Sequence, residues 1–151
     1  MRILRLCIVA ALYFWFGAVV AASGSNVREI SFDQFYIGNS TQAPDFSPLA
    51  RSLAGKRVRI SAYVATPFRA EAEFLMLTRS SMHICPYCNS DNSWPVDIIV
   101  AYTKGIIPAP NPAKPVIVTG VLEIGEKLDA TTGMVSQLRL MDATIEPLVN
   151  R

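Results

Sequence analysis

The sequence predicts a mainly β protein: a small antiparallel barrel of five strands with one short helix, behind an N-terminal signal peptide. Three observations predict it. A long apolar run stands at the N-terminus alone. Period-two alternation or short β-branched runs recur between turn-forming residues. A single compact set of helix start and stop signals stands ahead of the first long strand.

The leader comes first in the chain. Arg2 and Arg5 precede an apolar run from Leu6 to Ala22, which passes into small residues across Val19-Val20-Ala21-Ala22-Ser23-Gly24. A basic start, an apolar middle and a small-residue end describe a secretory signal, with cleavage expected after Ala22. The expected division is residues 1–22 as signal peptide and 23–151 as one domain. Uncleaved, the leader would be the chain's sole membrane attachment, at the short edge of spanning length. Cys7 lies inside the apolar run, so it does not stand where a lipid-attachment cysteine would.

Removing the leader changes the charge. Of fourteen Lys and Arg, Arg2 and Arg5 leave with it, and the remaining twelve balance twelve acidic residues. A neutral domain has no global attraction for nucleic acid or anionic lipid. Export predicts a periplasmic location and an exported or membrane protein as partner, with no nucleic acid. Only Cys85 and Cys88 remain as thiols, too few for a disulfide scaffold, so burial must hold the fold.

Ile30, Phe32, Phe35, Tyr36 and Ile37 form an apolar patch suited to docking on the body. Ser47 can cap a helix, Pro48 fits its first position, Leu49 to Ala54 continue it and Gly55 stops it. Val58, Ile60, Ala62 and Val64 then alternate with polar residues, giving the first long strand, ended by Thr66-Pro67. Phe74–Thr78 and Val96–Tyr102 read as more fully buried strands. The four prolines between Pro108 and Pro115 exclude a central strand there. Val116–Ile124 is a fourth strand with a bulge or bend at Gly120. A turn falls within 125–133. Val135–Ile145 is the fifth strand, with Leu138, Leu140, Ala143 and Ile145 inward. Five strands with this Gly-Lys-x-Val-x-Ile entry fit an OB-like barrel best; an SH3-like barrel or a small sandwich is the rival.

The chemically loaded segment joins the second and third of these strands. The chain's one histidine, His83, stands two residues before its one Cys-x-x-Cys, Cys85-Pro86-Tyr87-Cys88. Four readings compete. Two thiolates and an imidazole suit zinc, or copper(I), with Asp91 or Asp97 completing the shell. Cys-Pro-Tyr-Cys is also the active-site tetrapeptide of glutaredoxins, which points to thiol–disulfide exchange. In glutaredoxins the cysteines open a helix, whereas here Asn89 to Pro95 is turn chemistry ended by proline. A plain disulfide is the third reading. Its small ring stabilises by roughly 2 kcal/mol, against something on the order of 10 kcal/mol for a structural zinc. Nucleophilic catalysis with His83 as base is the fourth, and no orienting group is evident for it.

Other signals are weaker. Arg51, Lys56, Arg57, Arg59 and Arg69 with Tyr63 and Phe68 could line a single-strand-binding face, but they read more simply as solvated arginines. Glu71 and Glu73 read as a solvated edge. Met76, Met82, Met134 and Met141 are too scattered for a methionine-rich copper site. There is no phosphate loop, dinucleotide fingerprint or HExxH.

The runs Leu53 to Val64, Phe74 to Leu77, Cys85-Pro86-Tyr87-Cys88, Pro115 to Gly120 and Gly133 to Ala143 together resemble a family of uncharacterised bacterial exported proteins. Its members are small OB-like β proteins with C-P-[FY]-C in many of them. The resemblance spans about residues 53–145, and its motifs are loose apart from the tetrapeptide. Ser61-Ala62 stands where a glycine is common in the family. The resemblance implies a link to metal-handling exported systems and brings no catalytic residues. The expectation is a non-enzymatic metal-binding accessory protein using His83, Cys85, Cys88 and Asp91, with a redox or protein-binding module as the alternative.

Overall fold

The computed structural model describes residues 27–38, 45–65, 73–81, 97–108 and 110–148. The expected signal peptide, 1–22, lies outside them. Among the described residues no helix is long and apolar enough to cross a membrane.

The described chain is mainly β with one short α-helix. Its elements run β1 (Arg28–Glu29), a 3-10 turn (Phe32–Gln34), β2 (Tyr36–Ile37), β3 (Asp45–Phe46), α1 (Pro48–Leu53), β4 (Arg57–Val64), β5 (Phe74–Thr78), β6 (Ile98–Thr103), β7 (Val116–Leu128) and β8 (Val135–Pro147). The helix forms as expected. Ser47 Oγ accepts from Ala50 N at 3.0 Å, Pro48 occupies the first turn, and Gly55 follows at a φ of +77°. That left-handed conformation is open to glycine at little cost. Ser47 Oγ also donates to Gln34 O, tying the 3-10 turn to the helix.

One six-stranded sheet carries the fold, in the order β1-β4-β5-β6-β8-β7, and β4 also pairs with β7 so that the sheet curls back on itself. Two features correct the expected five-stranded antiparallel barrel. The sheet is mixed: β1 runs parallel to β4, and β6 runs parallel to β8. The seam between β4 and β5 is narrow, with register pairs only at Tyr63–Thr78 and Val64–Leu77. β1 lies along the same β4 edge, opposite Val58 and Arg59. A two-residue strand made of Arg28 and Glu29 carries no alternation, which is why periodicity does not reveal it.

Register sets the core. Val58, Ile60 and Ala62 stand opposite Gly120, Val118 and Val116. Val64 faces Leu77, Leu77 faces Ile99, Leu75 faces Ala101, Ala101 faces Leu140 and Leu140 faces Leu122. Partners across a ladder share a face, so these residues line the inside of the curl, and all the apolar ones are buried. The N-terminal patch docks for the most part: Ile30, Phe32 and Phe35 are buried and Tyr36 stacks on Phe46 at 5.2 Å, while Ile37 at its end is exposed.

Gly120 is constrained, but the bulge lies opposite it. Between Thr119 and Val121 on β7, β8 advances from Thr144 to Met141. Between Ala101 and Thr103 on β6, β8 advances from Leu140 to Ala143. Both shifts place one extra residue in β8 at the same point. Asp142 there has a φ of +49°, and aspartate tolerates this conformation better than most residues. A second shift lies in β7, where Ile124 and Lys127 face Leu138 and Ser136, with Gly125 at a φ of +99°.

Candidate functional site

The expected metal ligands His83, Cys85, Cys88 and Asp91 lie outside the described residues, as do Met82, Tyr87 and Trp94. The base from which their segment departs is described. Thr78 pairs with Ile98 across β5 and β6, and beyond that pair Arg79 Nε donates to Asp97 Oδ1 at 2.8 Å. Thr78 Oγ1 turns to Ser80 O at 2.8 Å, and Ser81 Oγ reaches Pro112 O at 3.1 Å. The strands thus bring the two ends of the segment together, and Ser81 ties one of them to the proline-rich loop. Asp97, considered as a fourth ligand, is ion-paired with Arg79. Among the described residues, no group of three or more His, Cys, Asp and Glu side chains could hold a metal ion.

A polar cluster lies on the outer face. Register sets Met76, Val100, Arg139 and Glu123 in one row across four strands. Arg139 is 4% exposed. Its Nη1 donates to Gly125 O at 2.7 Å, Ser136 O at 2.9 Å and Ser136 Oγ at 3.2 Å, and its Nε donates to Glu123 Oε2 at 3.2 Å. Gly125 O belongs to the β7 bulge, so one guanidinium holds the irregular stretch of the hairpin. Beside it, Tyr102 donates its hydroxyl to Asp129 Oδ2 at 3.1 Å. Burial, then the hydrogen bond to that carboxylate, push the tyrosine up to about 12. Burial alone would raise Asp129, yet it sits below its ordinary value. Hydrogen bonds from the Thr132 side chain and N–H, from Tyr102 and from Thr131 N–H favour its charged form. These same bonds build the turn between β7 and β8.

A cavity of about 880 Å³ opens where β6 leaves β8. Asp142, Ala143, Thr144, Ile145 and Pro147 of β8 form one side, with Ile107, Pro108 and Pro110 of the following loop among its other walls. Arg57, Lys104 and Lys114 supply positive charge around the apolar lining, and Asp142 pairs with Lys104 at 3.7 Å.

The fold resembles that of a solved bacterial protein. A crystal structure of a DUF3299 family protein from Pseudomonas aeruginosa matches with a TM-score of 0.52 and 13% identity, over 83% of this chain and 98% of that one. At that identity the likeness is one of fold, to a family whose designation marks a domain of unknown function. No protein-family model matches the sequence, and no curated protein does.

Sequence reasoning missed both described sites. Alternation along β8 sets Arg139 outward between Leu138 and Leu140, and nothing local shows that Glu123 and the β7 bulge will cover it. The Met141-Asp142-Ala143 step, where inward spacing changes from two to three, is the signal of the cavity-side bulge. Of the basic cluster, Arg51 donates to Phe46 O at 3.2 Å and Arg57 lines the cavity, while Arg69 lies outside the described residues.

Proposed function

We propose that this protein is an exported β domain that binds or handles a transition metal through the segment carrying His83, Cys85, Cys88 and Asp91. The imidazole and two thiolates would take zinc, or copper(I), with the Asp91 carboxylate as fourth ligand. The supporting observation is the base of the segment. The Thr78–Ile98 pair and the Arg79–Asp97 ion pair hold the residues that flank it side by side. With Asp97 engaged by Arg79, Asp91 becomes the better oxygen donor. The sheet is read as OB-like in the partly open sense of that fold, from its β4-β5-β6-β8-β7 order returning to β4. The setting is periplasmic and non-enzymatic, with an exported or membrane protein as recipient or source of the metal and no nucleic-acid role.

The second reading is thiol–disulfide exchange or a structural disulfide, favoured by the Cys-Pro-Tyr-Cys tetrapeptide. Metal analysis with thiol counting on natively exported protein separates the two. Near-stoichiometric zinc or copper with free thiols, lowered by His83→Ala, supports metal handling. Metal-free protein with oxidised Cys85 and Cys88 overturns it. The reduction potential then divides a labile exchanging pair from a staple.

A further inference from the structure

We propose that the outer edge of β8, from Ala143 to Pro147, takes up an extended acidic peptide by strand addition. β8 pairs with β7 along one edge, but β6 leaves the other edge at Thr103, opposite Ala143. No described strand pairs with that edge beyond this point. Residues opposite each other in an antiparallel ladder alternate between bonded and non-bonded pairs. Leu148 N donates to Pro115 O at 3.3 Å, which makes Glu146 and Thr144 the residues that bond to β7. The N–H and C=O of Ile145 therefore point to the opposite edge.

The cavity lies along that edge. Consecutive β8 residues from Asp142 to Ile145, whose side chains alternate in direction, all line it. A cavity that meets both faces of a strand follows its side, where an added chain would continue the line β6 abandons. Pro147 has no N–H to offer, so the added ladder is short and centres on Ile145. Charge selects the occupant. Arg57, Lys104 and Lys114 face the cavity against Asp142, and Asp142 is already paired with Lys104. An extended chain with acidic side chains satisfies both the main-chain groups and the surplus positive charge, as in other strand-addition sites.

The test titrates the full chain into a fluorescently labelled short peptide alternating valine and glutamate, read by anisotropy. The expected result is saturable binding that slows hydrogen exchange at the Ile145 amide. Lys104→Glu with Lys114→Glu, which turns the surplus charge around the cavity from positive to negative, should weaken it roughly fivefold, the equivalent of about 1 kcal/mol. Backbone N-methylation of alternate peptide residues should abolish it. Both lysines are exposed, and a thermal melt confirms that the variant folds. Equal binding of a valine–lysine peptide, indifference to N-methylation, or unchanged exchange at Ile145 overturns the proposal. So does self-association of the chain through this edge.

Discussion

A side chain on Gly120 would meet Met141 across the β7–β8 ladder: a Cβ there would stand 2.9 Å from the Met141 carbonyl oxygen and 3.0 Å from Leu140 Cβ. Both obstacles lie at or beside the backbone, so neither can swing away. The extra residue of β8 presses its main chain toward β7, and only glycine leaves room for it.

Gly120→Ala is therefore expected to destabilise the domain by about 1–3 kcal/mol, as overpacking does in well-filled interiors. Urea denaturation measures it. Gly125→Ala is also costly, for a different reason: nothing crowds that position, but its φ of +99° strains any side chain. Equal stability of Gly120→Ala and wild type would show that the two strands can part at little cost.

Arg139→Ala should cost more than an ordinary surface change. It leaves Gly125 O and the buried Ser136 without their guanidinium partner, an effect of about 1–3 kcal/mol. Arg139→Lys is expected to recover only part of this, because an ammonium cannot span the same acceptors as a planar fork. Thermal melts of the two variants check the order.

Tyr102 ties stability to alkaline pH. Its folded value of about 12 lies above its ordinary 10.0, so the neutral phenol is favoured by folding. The stabilisation is fully present below pH 10 and is lost as pH rises through about 12. Tyr102→Phe should flatten the stability profile in that window. Asp129 acts in the opposite sense: its lowered value makes its contribution fall away in acid. Denaturant midpoints across both pH ranges test the pair.

The Arg79–Asp97 bridge should contribute little to global stability. Both side chains are about half exposed, at 49% and 51%, and such pairs are worth about 0–1 kcal/mol. Its expected effect is local. Asp97→Asn should leave the melting temperature nearly unchanged while weakening the proposed zinc binding by the His83–Cys88 segment a few-fold, measured by competition with a chromophoric chelator.

What the sequence revealed follows from what local pattern encodes. Alternation from Val58 to Val64 reports one buried face, and the strand is there. Ser47, Pro48 and Gly55 mark a helix through their own backbone chemistry, and it too is there. Which strands neighbour each other is written in no single stretch. The parallel β6–β8 pair joins Ala101 to Leu140 across the intervening β7, and β1 is too short and too charged to announce itself. Arg139 looks like a solvent-facing residue until Glu123 and Gly125 arrive from the partner strand. Residue type alone marks the cysteine segment. The structure contributes its base at Thr78, Arg79, Asp97 and Ile98, while His83, Cys85, Cys88 and Asp91 lie outside the described residues.

β8 follows every other described strand in chain order, yet it stands between β6 and β7 and carries an irregularity that both must match. A chain emerging N-terminus first from a ribosome cannot join those two neighbours until Val135 to Pro147 are out. Before then the sheet has no complete interior. Closure of the sheet thus waits on a single segment, and the long-range β6–β8 pairing it makes favours slow folding.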